Sequence, residues 1–229
     1  MPDSDLLATL LEAAKAHVPF DGWSEAAFQA AAADAGIDEG LARAACPRGA
    51  VGLALAYHEA GDAEMLRRLA EADLDGLRFR DKVALAVRLR LEAVEDKELV
   101  RRGMTLFSLP HYAPEGAQAV WRTCDRIWTA LGDSANDINW YTKRMTLSGV
   151  YSATLLYWLG DTSEGHEASW AFLDRRIDDV MQIEKLKAQL RDNKLVGGLM
   201  AGPLSFVTRI KPPQGGQQAG MPGRWHGPN

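Results

Sequence analysis

The sequence predicts an all-α protein. Almost every segment of the 229-residue chain places apolar residues at the three- and four-residue spacing of an amphipathic helix. No segment shows the apolar–polar alternation of a half-buried strand. Glycine, proline and short polar residues separate the segments, and these residue types end one helix and cap the next.

The first three helices predict a helix-turn-helix outline. After a first apolar stripe, Ser24 is placed to cap a second helix, and Gly36 is placed to end it in the left-handed conformation. Asp38 restarts a third helix, which stops at Cys46 before a proline. A helix, a glycine turn and a short helix in this order are typical of DNA-binding heads.

Further helices are predicted along the remaining chain. Helical spacing and breaker residues predict them at 47–61, 62–72, 79–94, 98–108, from 114, 137–159 and about 165–190. Gly61 and Asp62 are interpreted as the break between the first two of these.

Charge is distributed unevenly along the chain. Residues 1–76 hold 14 acidic and 5 basic residues, a net charge of −9, whereas the whole chain carries −5. The third helix offers one arginine, Arg43, beside two acids, which is a poor composition for reading a DNA groove. We therefore predict a degenerate head over 1–76, a helical body over 77–192 and no binding of nucleic acid.

The composition changes again at residue 193. The 37 residues from there onward include 8 glycines and 5 prolines and carry no acidic residue. Residues 193–211 keep a helical apolar spacing with basic residues, which is typical of a helix lying on a membrane surface. Packing on the domain itself and a dimer contact are the alternatives. Residues 212–229 are predicted to be a disordered tail. The residues predicted to touch the membrane are Leu195, Val196, Leu199, Met200, Phe206, Val207 and Ile210.

One helical face in the second half is polar and aromatic where apolar residues would be expected. Asp137, Trp140, Tyr141 and Arg144 fall at i, i+3, i+4 and i+7 and therefore share that face. Large aromatic residues beside an arginine are enriched at the energetic centres of protein–protein interfaces. These four residues are predicted to bind a protein partner.

The second half is also rich in aromatic residues and methionine, a composition that suits an adaptable apolar pocket. A packed core is the simpler interpretation of most of these residues, and spacing alone does not separate it from a ligand pocket. The residues assigned to lipid binding are Trp121, Trp128, Met145, Tyr151, Leu155, Phe172 and Met181.

Motifs for catalysis and metal binding are missing from the sequence. The five histidines are scattered without metal-ligand spacing, and no phosphate-binding loop or nucleophile elbow occurs. We expect no catalytic residue, no metal and no cofactor, and hence not an enzyme. Two cysteines and an acidic amino-terminal segment predict a bacterial, cytoplasmic location.

Residues from about 44 to 210 resemble the family of the ninth coenzyme Q biosynthesis protein, a lipid-binding accessory family. The block that carries most of this resemblance is Asn139-Trp140-Tyr141-Thr142-Lys143-Arg144. Further matching blocks are Cys46-Pro47-Arg48-Gly49, Leu109-Pro110-His111 and Trp170-Ala171-Phe172-Leu173-Asp174-Arg175-Arg176-Ile177. Pro203 departs from the family pattern, because it falls inside the predicted membrane helix.

The resemblance implies a bundle like that of TetR regulators, with a former DNA-binding head and a body that binds isoprenoid quinone lipids. It implies that the last amphipathic helix docks on a membrane, here the bacterial inner membrane. It also implies that the surface around Trp140 and Tyr141 contacts the demethoxyubiquinone hydroxylase. A TetR-type transcriptional regulator with an apolar effector pocket is the alternative function, and a homodimer is left open.

Overall fold

The computed structural model describes the backbone of residues 3–133 and 138–192. The all-α prediction is confirmed, since these residues form nine α-helices and one 3₁₀ turn and contain no strand. The chain divides into two compact units.

The first unit comprises Met1–Glu71 and Leu89–Ala119. It contains four consecutive helices, namely α1 (Asp3–Asp21), α2 (Glu25–Asp34), α3 (Glu39–Ala45) and α4 (Gly49–Glu71). Helix α6 (Lys97–Phe107) belongs to the same unit.

The core of the first unit is built from apolar side chains of α1, α2, α3, α4 and α6. Its fully buried members include Leu10, Val18, Phe28, Leu53 and Leu99. The Trp23 indole N–H donates to the Leu99 carbonyl over 3.0 Å and so joins the α1–α2 turn to α6.

Both predicted caps are found in the first unit. The Ser24 hydroxyl accepts from the Ala27 amide at the start of α2, over 3.2 Å. The Asp38 carboxylate accepts from the Gly40 amide at the start of α3, over 2.9 Å. Each cap satisfies amides that have no partner within the first helical turn.

The predicted break at residues 61 and 62 is wrong, because α4 runs through it. Asp62 is buried, and its carboxylate accepts from Arg90 Nε over 2.7 Å. A β-carbon added at Gly61 would lie 2.6 Å from the Arg90 guanidinium. The glycine makes room for a buried cation, and neither residue ends the helix.

The second unit comprises Ala72–Arg88 and the chain from Val120 onward. Its helices are the first part of α5 (Phe79–Glu92), most of α7 (Ala113–Ala130), α8 (Ile138–Gly160) and α9 (Glu167–Asp192). Its buried side chains include Ile127, Leu147, Tyr151, Trp158 and Leu173.

Asp161 connects α8 to α9. Its Oδ1 accepts from the Ser163 amide and hydroxyl over 2.8 and 2.7 Å, and its Oδ2 accepts from those of Ser169 over 2.9 and 2.5 Å. The hydrogen bonds from Ser163, then those from Ser169, hold the pKa of this carboxyl well below its usual range.

Packing divides the chain differently from the predicted boundary between residues 76 and 77. Helices α5 and α7 each contribute residues to both units, so the two units interleave in sequence. The predicted segments 193–211 and 212–229 lie outside the described residues.

Candidate functional site

The second unit contains a cavity with a volume of about 510 Å³. It lies among the start of α5, one residue of α7, one face of α8 and part of α9. Its lining residues are Phe79, Arg80, Val83, Trp128, Asn139, Thr142, Lys143, Thr146, Leu147, Val150, Ile177, Val180 and Met181.

Helix α8 supplies the longest part of the lining. Its six lining residues, from Asn139 to Val150, repeat at three- and four-residue intervals and so lie on one helical face. This face changes in polarity along the helix, from Asn139, Thr142 and Lys143 at the start to Leu147 and Val150 two turns later.

The polarity of the lining also follows depth. The buried lining residues Val83, Leu147, Val150 and Ile177 are all apolar. Thr142 is exposed, as is Asn139. The cavity therefore has an apolar floor and, on α8, a polar rim.

Trp128 and Phe79 form an aromatic wall beside the polar rim. Their ring centroids are 5.5 Å apart with the ring planes inclined by 27°. The Trp128 indole N–H donates to the backbone carbonyl of Lys143 over 3.2 Å, and the Lys143 ammonium lies 5.2 Å from the ring centroid. These contacts tie α7 to the first turns of α8.

A network of ion pairs fixes α8 beside the cavity-lining face. The Asp133 carboxylate pairs with the Lys143 ammonium over 2.6 Å and with Arg144 Nη1 over 2.9 Å. Arg144 Nε donates to Asp125 of α7 over 2.6 Å. The side chains of Asp133 and Arg144 are each only 2% exposed, so the centre of this network is buried, whereas Lys143 and Asp125 reach solvent.

Three aromatic side chains gather next to this network. The Trp121 ring lies 6.0 Å from Trp140 and 6.3 Å from Tyr141, and the latter two rings are 4.8 Å apart. The Arg144 guanidinium stacks 3.9 Å from the Trp140 centroid. Trp121 is buried, whereas Trp140 and Tyr141 are half-buried.

The residues predicted to bind a partner differ in their exposure to solvent. Trp140 and Tyr141 keep part of their surface in solvent. Arg144 is buried, and its guanidinium pairs with two aspartates inside the unit, so its contact with a partner stays a prediction. Asp137 lies outside the described residues.

Of the residues predicted to bind lipid, some line the cavity and others do not. Trp128 and Met181 line the cavity. Trp121 and Tyr151 are buried core residues away from the lining, and Met145 is 59% exposed. Leu155 and Phe172 are half-buried and do not line the cavity; the Phe172 ring stacks on Tyr157.

Sequence reasoning missed the polar part of the lining. Asn139, Thr142 and Lys143 stand in the same block as the predicted partner residues, but they occupy another face of α8. The helical spacing of Thr142, Thr146 and Val150 was a usable signal. No comparable spacing in the sequence indicated that the α5 residues Phe79 and Arg80 line the cavity.

Among the described residues no helix is long and apolar enough to cross a membrane. The same part of the chain contains no cluster of three potential metal ligands. The predicted membrane-contacting residues, Leu195 to Ile210, all lie outside the described residues.

The helical arrangement is that of the TetR class of regulators. A TetR transcriptional regulator from Nitrosomonas europaea ATCC 19718 matches with a TM-score of 0.63 at 18% sequence identity. The match covers 76% of this chain and 97% of that regulator. At this identity the likeness establishes the fold alone.

The predicted family resemblance is confirmed by sequence. Residues 113–184, which hold most of the cavity, match the family model described as COQ9. The mitochondrial ubiquinone biosynthesis protein COQ9 of Drosophila melanogaster is 31% identical over 187 residues, covering 80% of this chain and 57% of that protein. The probable ubiquinone biosynthesis protein coq9 of Dictyostelium discoideum is 29% identical over 200 residues. This match covers 82% of this chain and 64% of that protein. The chain thus spans about three fifths of these two relatives' length.

The predicted localisation is wrong. A bacterial, cytoplasmic protein at the inner membrane was expected, but the Drosophila, Dictyostelium and Bos taurus relatives are all named as mitochondrial proteins. The prediction relied on the two cysteines and on the acidic composition of the first few residues, and neither feature shows where relatives of a chain reside.

Proposed function

We propose that this protein acts in ubiquinone biosynthesis as a lipid-binding accessory protein. It binds isoprenoid quinone intermediates in the cavity of its second unit at a membrane surface and presents them to the demethoxyubiquinone hydroxylase. The observation that carries the proposal is the position of the cavity. Ten of its thirteen lining residues fall within residues 113–184, the segment that matches the COQ9 family model.

The physical need for such a carrier follows from the lipid. A polyprenyl tail moved from a bilayer into water exposes apolar area at a cost of about 25 cal/mol per Å². A protein that handles the lipid must cover part of that area. The apolar floor formed by Val83, Leu147, Val150 and Ile177 offers such a cover.

The half-buried pair Trp140 and Tyr141 supports a partner surface. Aromatic rings held rigidly by their neighbours lose little conformational entropy on binding, which makes them effective anchors. Here Trp140 is held by the Arg144 guanidinium and Tyr141 by the Trp140 ring. In this proposal the hydroxylase carries out the chemistry, and the present chain supplies the lipid.

Lipid mass spectrometry on the protein purified from its own host tests the carrier function. We expect a polyprenylated quinone or a demethoxy precursor to co-purify. Val150→Phe should reduce the amount of bound lipid because the larger side chain fills the cavity floor. Leu156→Phe on the exposed face of the same helix is the matched control and should retain it. An empty wild-type protein, or equal loading of both variants, would contradict the proposal.

A further inference from the structure

We propose that the ion pair between Arg80 of α5 and Asp178 of α9 is a latch that controls how fast ligands enter and leave the cavity. This inference rests on the cavity being the ligand site of the proposed function, and it adds the route by which a ligand exchanges. It gives Arg80 a role in the rates of binding and release, and not in the affinity.

Arg80 joins two sides of the cavity. It lies in the first turn of α5 and is itself a lining residue, and its Nη1 donates to the Asp178 carboxylate of α9. Along α9, Asp178 falls between the lining residues Ile177 and Val180 but is not a lining residue itself. The ion pair therefore bridges α5 to α9 at the edge of the cavity.

The side chains next to this ion pair mark a mouth of the cavity. Phe79 precedes Arg80 and is 48% exposed, and Met181 follows Asp178 by one helical turn and is 44% exposed. Both line the cavity, so the cavity reaches solvent at this place. A ligand that enters between α5 and α9 here has to pass the Arg80–Asp178 contact.

The exposure of the ion pair suits a contact that opens and closes. The side chain of Arg80 is 22% exposed and that of Asp178 is 47% exposed. Ion pairs that reach water stabilise only weakly and are screened further by salt. The latch should therefore open far more readily than the pair of Arg144 and Asp133, whose side chains are almost completely buried.

Further carboxylates lower the cost of opening the latch. Arg80 Nε lies 3.3 Å from the Asp81 carboxylate of the same helix, and Arg80 Nη2 lies 3.9 Å from the Asp174 carboxylate of α9. Asp81 also pairs with Arg78 over 2.7 Å. When the first turn of α5 moves away from α9, Asp81 moves with it. The Arg80 guanidinium then keeps a partner, so the penalty for leaving a charge unpaired is avoided.

The second half of α5 has its own attachment to α9. The Arg88 guanidinium lies 5.0 Å from the centroid of the Trp170 ring. This contact is roughly two helical turns further along α5, and roughly two turns earlier on α9, than the latch. Opening the latch therefore frees the first turn of α5 and leaves the rest of the helix joined to α9.

Stopped-flow fluorescence of the full chain with the uncharged apolar dye Nile red tests this inference. Arg80→Gln and Asp178→Asn should each raise both the association and the dissociation rate constant by about fivefold, the equivalent of about 1 kcal/mol for a partly exposed ion pair. The equilibrium affinity should change by less than about twofold, because the same latch opens for entry and for release. The double variant should be no faster than either single variant, since both substitutions remove one contact.

Arg78→Gln is the matched control. Arg78 is a more exposed arginine in the residue before α5, and it does not line the cavity. This variant should keep the wild-type rate constants. Raising the salt concentration from about 50 to about 500 mM should speed exchange in the wild type but not in Arg80→Gln, because salt screens the latch.

Wild-type rate constants in both single variants, or a loss of affinity without faster release, would overturn the latch. A wild type that does not bind Nile red would overturn both the latch and the cavity as a site for apolar ligands. Because Nile red is not a quinone, the lipid analysis of the purified protein decides the carrier function separately.

Discussion

Arg144 is a buried cation, and its ion pairs with two carboxylates offset the free-energy cost of removing its charge from water. It pairs with Asp125 and Asp133 and stacks on Trp140. Removing one member of a buried ion pair leaves the other charged group without compensation, which costs more than the pair itself contributes. The residue therefore anchors the start of α8 to α7.

Arg144→Met tests this role. We expect the free energy of unfolding to fall by about 3 kcal/mol, because Asp133 stays buried with Lys143 as its remaining cation. Arg175→Met, at an exposed arginine of α9, is the matched control and should change it by less than about 0.5 kcal/mol. Denaturant melts of the two variants measure the difference, and equal losses would contradict the anchoring role.

Tyr141 differs from Arg144 because part of its ring remains in solvent. Tyr141→Ala should leave the fold intact, lower the cellular ubiquinone level and cause a demethoxy precursor to build up. Tyr157→Ala, at an exposed tyrosine further along α8, should not affect the lipid profile. Quinone chromatography of complemented cells provides the readout. If Tyr141→Ala instead unfolds the second unit, the ring belongs to the core and the partner surface is refuted.

At the level of single helices, two glycines differ in the space that is available for a side chain. In α7, a β-carbon added at Gly116 would come within 2.6 Å of the Phe107 β-carbon, whereas at Gly149 in α8 it would meet nothing within 4 Å. Gly116→Ala should therefore destabilise by about 1–3 kcal/mol through overpacking. Gly149→Ala should stabilise by up to about 1 kcal/mol through helix propensity. Thermal melts of both variants check the opposite signs, and a shared sign would refute the packing argument.

The α8–α9 connection depends on pH through Asp161. Hydrogen bonds from Ser163 and Ser169 lower the pKa of its carboxyl in the folded state. The resulting stabilisation is therefore present above the unfolded-state pKa of about 3.9 and declines as the pH falls below that value. Asp161→Asn should lower the melting temperature at pH 7, and the gap from the wild type should shrink below about pH 4.

Glu164→Gln provides the control for the capping carboxylate. Glu164 is an exposed carboxylate of the neighbouring 3₁₀ turn, so this variant should melt like the wild type at pH 7. A constant gap between Asp161→Asn and the wild type from pH 7 to pH 3 would show that the charge of Asp161 contributes nothing to the cap.

At the scale of the whole molecule, the fold resembles that of a transcriptional regulator, but the charge of residues 1–76 disfavours binding to DNA. Residues 1–76 carry −9, and Arg43, the basic residue of α3, is hydrogen-bonded to Glu25 and stacked 4.4 Å from the Phe28 centroid. Binding to duplex DNA depends on cations that displace counterions from the phosphates. Residues 1–76 are acidic, and the Arg43 guanidinium is already engaged by the Glu25 carboxylate.

We therefore expect no specific duplex binding. Fluorescence anisotropy with fragments of the host genome, at a low salt concentration of about 50 mM, should show no saturable increase on addition of the protein. Sequence-specific binding that weakens with added salt would favour the regulator function over the carrier function.

Features that depend on local interactions could be predicted from the sequence. The helical periodicity predicted the all-α class, and Ser24 and Asp38 were identified as caps because a cap acts on amides within one turn. The block around Trp140 was also recognisable, since its residue types are unusual at that spacing.

What covers each helical face depends on contacts between residues that are distant in sequence. Spacing shows that Trp140 and Arg144 share a face, but burial depends on Asp125 and Asp133, which come from an earlier part of the chain. In the same way, the residue type of Gly61 predicts a helix end, but the Arg90 guanidinium, which is distant in sequence, packs against this glycine inside α4. A helix specifies which side chains point together, and the elements packed against it decide whether that face becomes core, cavity wall or surface.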